Sequence, residues 1–265
     1  MDLSGSLLFQ GGGNALVALN LHGLTDVVVV DKLPFSFTEG LVKKSEDIVV
    51  VAVASDLIEI SLTSGKMKQV GKADFVKAYL SEMDTLLYLY SERGPRIGLY
   101  EAKLNDLAGT AKQIVGGISA DEVSVVPVSG HEAVFTTARH GGLWHYDVKS
   151  KALQHIKGGD DCLPVLYRSA AGQLVCIDWE TRQCSLMEMH GPNRVALEKL
   201  RHISPVLYIA KHDVMVYTKM ATWSLSERRD LYAYDFKTGE SKLLLKSEGL
   251  RYGQTIYFET MPGSK

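Results

Sequence analysis

At 265 residues the chain has room for one large β domain or two ordinary domains, and its 46 % hydrophobic and 23 % charged residues suit a globular protein. A formal charge of -2 excludes the overall basic excess of a nucleic-acid binder. The longest apolar stretches, such as Ile48 to Ala54, fall far short of the ~20 residues that span a bilayer.

The chain opens with MDLSGSLLFQGGG, which lacks the basic and long apolar regions of a signal peptide, so a cytoplasmic protein is expected. Strand patterns follow at once. SLLFQGG, ALVALNL and DVVVVD read as three strands of a first unit. A second unit holds DIVVVAV at 47–53, a third TLLYLY at 85–90, a fourth EAVFTTA at 132–138, a fifth QLVCIDW at 173–179 and a sixth DVMVYTK at 213–219. Upstream of the last four lie FVKAYL, EVSVVPV, LPVLYRS and SPVLYIA, and the last two share PVLY. The turn signals SEMD, SGHE, SAAG and AKHD separate these pairs.

A third strand repeats down the chain. LVALN ends at Asn20, LIEIS at Ser61, LYEAK at Lys103, LWHYD at Asp147, LMEMH at His190 and LYAYD at Asp235, at spacings of 41, 42, 44, 43 and 45 residues. A self-similar period in this range indicates propeller blades of four strands each. The expected fold is an all-β, six-bladed propeller in one domain. Its blades fall at about 1–31 with 250–262, then 32–71, 72–116, 117–158, 159–200 and 201–249. QTIYFET at 254–260 supplies the strand missing from the first blade and closes the ring, which removes exposed sheet edges. A doubly wound α/β fold fits less well, because ADFVKAYLSEMD and RVALEKLRH are short and stand where the period demands strands.

The segment SERRDLYAYDFKTGE at 226–240 resembles the repeat of TolB-like and related WD-like propellers, in which Arg and a polar turn precede an aliphatic–Tyr–Asp strand and a Thr–Gly turn. SERGPRIGLYEAKL and TARHGGLWHYDVKSK match it in part. The resemblance implies a rigid surface offered to a protein or peptide, and no catalytic residues.

Loops between second and third strands share one face of a propeller with the loops between blades, and function concentrates on such loops. Arg93, Arg139, Arg182 and Arg228 recur just before the third strand of units three to six, joined by Arg96 and Arg229, with Trp179 and Trp223 in the same loops. One reading is a face that docks an acidic peptide or protein, since Arg pairs with carboxylates and Arg and Trp dominate buried interfaces. The other is that each Arg holds its own loop through neighbouring carbonyls. The loop MATWSLSERRD is the longest of its class and exposes Trp223 in a polar stretch. Phe35 and Phe37 in PFSFTEG either line the channel mouth or cap the first blade.

The alternative is a metal-dependent hydrolase or lactonase with its site in the channel, drawing on Glu39, Asp121, Asp160, Asp161, His202 and Glu259. Nothing in their spacing selects them. No HExxH, CxxC or GxSxG occurs, and the histidines His140, His145, His190, His202 and His212 fall in different elements or across a turn. Ser129-Gly130-His131-Glu132 reads as a turn, and GGGNA at 11–15 as a hairpin loop rather than a phosphate cradle. A sugar binder is disfavoured because Trp144, Trp179 and Trp223 are not at equivalent positions. The three cysteines, Cys162, Cys176 and Cys184, do not read as a disulfide framework; Cys176 and Cys184 could meet across a hairpin, but buried free thiols are the simpler account. The expectation is a monomeric, non-enzymatic binding propeller with a protein or acidic peptide partner, no cofactor, no metal, and no nucleic-acid or membrane association.

Overall fold

A computed structural model of the chain describes residues 3–11, 15–31, 33, 40–90, 97–118, 123–137, 141–191, 193–220, 229–246 and 255–261, with the backbone alone at 220 and 229. Among these, six four-stranded antiparallel sheets form the six blades of a propeller. Blade 1 runs outward from β24 (Thr255–Phe258) through β1 (Ser6–Gly11) and β2 (Ala15–Asn20) to β3 (Thr25–Val30). Blade 2 comprises β4 (Leu41–Lys43), β5 (Ile48–Val53), β6 (Asp56–Ser61) and β7 (Met67–Lys72). Blade 3 comprises β8 (Phe75–Leu80), β9 (Thr85–Tyr90), β10 (Gly98–Lys103) and β11 (Lys112–Gly116), and blade 4 β12 (Val125–Pro127), β13 (Glu132–Thr136), β14 (Leu143–Asp147) and β15 (Ala152–Ile156). Blade 5 comprises β16 (Cys162–Arg168), β17 (Gln173–Asp178), β18 (Gln183–Glu188) and β19 (Arg194–Arg201), and blade 6 β20 (Ile203–Ile209), β21 (Val214–Met220), β22 (Arg229–Asp235) and β23 (Glu240–Leu245).

The ring closes as the strand count requires. β24 pairs antiparallel with β1, Ser6 opposite Phe258 and Phe9 opposite Thr255. The inner strands touch in one cycle, β24 to β4, β8, β12, β16, β20 and back to β24.

Alternation along the second strands builds the core. In β5, Val49 and Val51 pack toward blade 1 while Val50 and Ala52 pack toward blade 3, so successive residues serve successive inter-blade seams. Six apolar clusters result, one between each pair of neighbouring blades. Polar staples cross the same seams on the lower face, which carries the first-to-second and third-to-fourth turns. Arg168 of blade 5 forks onto Asp213 of blade 6, Nε to Oδ1 at 2.8 Å and Nη2 to Oδ2 at 2.7 Å, and stacks 4.5 Å above the Phe236 ring. Lys149 of blade 4 reaches Glu82 of blade 3 at 2.7 Å, and Lys151 reaches buried Glu101 at 2.7 Å.

Two sequence expectations need correction. The third strand of blade 5 ends at Glu188, opposite Gln173, rather than at His190; LMEMH matches the repeat pattern two residues out of register. Cys162 and Cys176 form a disulfide between β16 and β17, and both are fully buried. Only Cys184 is free, and burial pushes its thiol up to about 12. Neither a set of free thiols nor a Cys176–Cys184 contact describes them, because Cys176 on β17 pairs toward β16 rather than toward Cys184 on β18.

Candidate functional site

The inner strands enclose a channel with a cavity of about 730 Å³, open at its mouth. Its walls come from all six blades and are mostly aliphatic, including Leu41, Val125, Val165, Val206 and Ile256. Three inner strands carry a β-bulge at the same level, after Val76, Pro164 and Pro205, which turns Lys77, Val165 and Val206 onto the channel wall.

One register position recurs at the lower end. Tyr79 stands opposite Leu86, Tyr167 opposite Leu174, Tyr208 opposite Met215 and Tyr257 opposite Leu7, each at the second residue of the next strand. Lys43 and Pro127 hold the equivalent places in blades 2 and 4. The four rings line the cavity while their hydroxyls are tied elsewhere where a bond is seen. Tyr79 donates to Asp84 at 2.8 Å, Tyr208 to Asp213 at 2.9 Å, and Tyr257 to the Ser4 carbonyl at 3.1 Å. Asp84 and Asp213 occupy left-handed turn conformations, and blade 5 has Gly172 there instead. Burial, then the neighbouring carboxylate, raises the Tyr79 and Tyr208 hydroxyls above the ordinary tyrosine range, so both stay neutral donors.

The upper end differs. Trp179 leaves the end of β17 and lines the cavity, where its indole Nε1 is buried with no hydrogen-bond partner. Thr255 begins β24, and its buried Oγ1 also lacks a partner. Among the described residues four buried side-chain polar atoms are left unpaired, and two of them belong to residues of the cavity wall. The loop after Trp179 is firmly built. Asp178 Oδ1 accepts from the backbone of Glu180 at 3.1 Å and from the backbone and hydroxyl of Thr181 at 2.7 and 2.8 Å. These bonds hold the Asp178 carboxyl below its usual range, the Thr181 backbone amide contributing most.

Of the residues expected to bind a partner, the structure describes the side chains of Trp179 and Arg182. Arg93, Arg96, Arg139, Trp223 and Arg228 lie outside the described residues, as does the side chain of Arg229. Arg182 sits on the upper face with a left-handed backbone, φ +57°. Its amide donates to the Asp178 carbonyl at 3.1 Å and its carbonyl accepts from His202 at 3.1 Å, which ties the loop to the next inter-blade connection. Its guanidinium is exposed and makes no hydrogen bond or ion pair among the described residues. The arginine that does hold this loop through a carbonyl is Arg201, Nε to Thr181 O at 3.0 Å, which sequence reasoning passed over.

The enzyme candidates do not converge where the structure describes them. Glu39 and Asp121 lie outside the described residues, as do Phe35, Phe37 and His140. Asp160, Asp161, His202 and Glu259 are exposed and none lines the cavity. Among the described residues no three His, Cys, Asp or Glu side chains gather at metal-binding spacing. Ser129 and His131 meet in the first-to-second turn of blade 4, but not as a nucleophile and base. Ser129 Oγ donates to Glu132 at 2.9 Å, and His131 Nδ1 lies 3.4 Å from that Oγ and 3.0 Å from Glu82 Oε2. A triad needs its base to hold nucleophile and carboxylate on opposite ring nitrogens, whereas here one nitrogen faces both.

No protein-family model and no curated protein sequence matches the chain. Solved structures do. A chain of the nidogen/laminin complex superposes with a TM-score of 0.70 at 15 % identity, covering 94 % of this chain and 96 % of that one. A TolB protein from Agrobacterium tumefaciens gives 0.69 at 11 % identity, covering 97 % and 99 %. The calcium-binding protein regucalcin from Agrobacterium tumefaciens gives 0.58 at 15 % identity, covering 83 % and 80 %. At these identities the likeness is one of fold, and the chain is a six-bladed β-propeller that shares its architecture with proteins of dissimilar roles.

Proposed function

We propose that the protein is a binding propeller that docks a protein or acidic peptide on its upper face, through Arg182, the loop arginines Arg93, Arg96, Arg139, Arg228 and Arg229, and the tryptophans Trp179 and Trp223. The observation that carries this reading is the state of Arg182. Its backbone and Arg201 already secure the loop, so its exposed guanidinium is not needed as a loop brace. A planar donor fork on a rigid turn, without a partner among the described residues, suits recognition of a carboxylate. The occurrence of the same architecture in a complex of nidogen with laminin agrees with a partner-binding role. A channel hydrolase has less behind it, because the described channel wall offers neither a carboxylate nor an imidazole.

The test is capture from native lysate with wild type beside a variant in which Arg93, Arg139, Arg182 and Arg228 are changed to Glu. A stoichiometric partner retained by wild type and lost by the folded variant is the expected result. A partner held equally by both would overturn the assignment of this face.

A further inference from the structure

We infer that the upper corner of blade 5 is a phosphoryl-binding site, and that the acidic group taken there by the docking face is a phosphorylated side chain of the partner. The inference rests on the docking reading and narrows it. The arginines sort into two kinds. Four have described side chains. Arg168 is ion-paired to Asp213 at 2.7 Å and Arg194 to Asp178 at 3.7 Å. Arg182 and Arg201 make no ion pair among the described residues, and both belong to the same corner. Arg201 stands opposite Gln183, so Arg182 and His202, the residues just beyond that pair, are neighbours. The His202 amide donates to the Arg182 carbonyl at 3.1 Å. Both residues have left-handed backbones, φ +57° and +56°, and the side chains of Arg182, Arg201 and His202 are all exposed. Arg201 gives its Nε to the Thr181 carbonyl at 3.0 Å, which lays its guanidinium against the turn that carries Arg182. Nε is only one of a guanidinium's N–H donors, so both arginines keep a terminal fork for a ligand.

The acids of the corner do not cancel this charge. Asp178 spends Oδ1 on the amides of Glu180 and Thr181 and on the Thr181 hydroxyl, and its Oδ2 leans toward Arg194. Glu180 is exposed and makes no ion pair among the described residues, so one carboxylate stands against two guanidinia. The sum selects the ligand. A carboxylate carries a single charge and is saturated by one guanidinium fork. A phosphoryl group carries a charge of about −1.5 to −2 and presents several strong acceptor oxygens, enough to take both forks. The imidazole of His202 adds a further N–H donor beside them.

The probes are capped Gly-X-Gly tripeptides in which X is phosphoserine, glutamate or serine, titrated into the full chain and followed by calorimetry and by the arginine Nε–H signals in NMR. The expected result is saturable binding of the phosphoserine peptide, about tenfold weaker binding of the glutamate peptide and none of the serine peptide. Arg182→Gln weakens the phosphoserine peptide about tenfold, the worth of one hydrogen bond to a charged group. Arg201→Gln does the same; because Arg201 also braces the turn, Arg182→Gln and Glu180→Gln decide if that variant is poorly folded. Glu180→Gln removes the opposing charge and tightens binding by roughly two- to fivefold, the range of an exposed charge pair. Lys237→Gln, on the lower face, changes nothing. No saturable phosphoserine binding, equal binding of the glutamate peptide, or indifference to both Arg182→Gln and Glu180→Gln overturns the inference. Treating the lysate before capture separates this inference from the docking reading. A partner that needs Arg182 but survives phosphatase leaves the docking face standing and overturns the phosphoryl assignment, as does one lost to nuclease alone. Phosphoserine binding with no captured partner supports the site and removes the docking reading.

Discussion

Phe258→Ala is the sharpest test of how this fold holds together. Phe258 is fully buried on the closing strand β24, opposite Ser6, and packs in the seam between blades 1 and 2 with Leu8, Leu16 and Val49. The Lys43 ammonium lies 4.2 Å from its ring centroid. Truncating a buried Phe to Ala costs about 3–5 kcal/mol in transfer and cavity terms. Against a total stability of roughly 5–15 kcal/mol that is a large share. At about 2–4 °C per kcal/mol for a chain of this size, the melting temperature falls by about 6–20 °C. Thermal unfolding followed by circular dichroism measures it, with two comparisons. Phe135→Ala removes an equally buried ring from β13, inside a blade formed by one continuous stretch, and sets the scale for a core truncation. Glu259→Ala, at the exposed neighbouring residue, sets the baseline within about 0.5 kcal/mol. If Phe258→Ala melts like Glu259→Ala while Phe135→Ala melts early, β24 contributes nothing and the closed ring is wrong.

Three further outcomes follow from the same contacts. Asp213→Asn keeps a residue tolerant of the left-handed turn but leaves the part-buried Arg168 without its counter-ion, a loss of about 1.5–3 kcal/mol in urea unfolding near neutral pH. The hydrogen bond from Arg168 leads the lowering of the Asp213 carboxyl, and a lowered folded pKa gives stability that is present above the unfolded value of ~3.9 and lost as pH falls through the folded one; the gap between wild type and variant therefore closes only in acid, and a gap constant down to about pH 2 would contradict the pairing. Thiol titration should find none reactive in the native protein at pH 8, one after unfolding and three after unfolding with reductant, since Cys162 and Cys176 are paired and Cys184 is buried; three without reductant would deny the disulfide. In the blade 5 loop, Arg182→Ala leaves the melting temperature within a degree or so while Arg201→Ala lowers it by the worth of about one hydrogen bond, 0.5–1.5 kcal/mol, and the reverse order would mean that Arg182 is the loop brace.

Blade number, closure and most strand ends were legible in the sequence because they rest on local period. Third strands end at Asn20, Ser61, Lys103, Asp147 and Asp235, where the repeat put them. Blade 5 slipped because CSLMEMH offers apolar residues three apart in either register, Leu186 with Met189 or Cys184 with Met187, and a two-residue shift keeps the same faces inward. Only the pairing of Glu188 with Gln173 breaks the tie. The cysteines failed for a related reason. Cys162 and Cys176 sit on strands joined by the turn at 169–172, but the bulge after Pro164 offsets their register, and a bulge leaves no plain mark in a single sequence.

The tyrosines of the lower channel show what was legible and unread. PVLY stands out twice as a repeat, yet its Tyr carries no assigned role in the sequence reading. The longer pattern Tyr-x-x-x-x-Asp, at Tyr79 to Asp84 and Tyr208 to Asp213, joins a channel-lining ring to the acid of its own turn, and that spacing could have marked both residues. Trp179 was legible as a type and illegible as a direction. From the sequence it is an aromatic beside an Arg-bearing loop, equally able to face outward or over the channel. The choice is made by Asp178, which closes the turn over Glu180 and Thr181 and commits the preceding backbone to the end of β17, where the indole faces the channel. The same turn then presents Arg182 on the outer face, with its guanidinium unpaired among the described residues. One turn thus sets the direction of both side chains, so removing the Asp178 carboxyl should disturb Trp179 and Arg182 together.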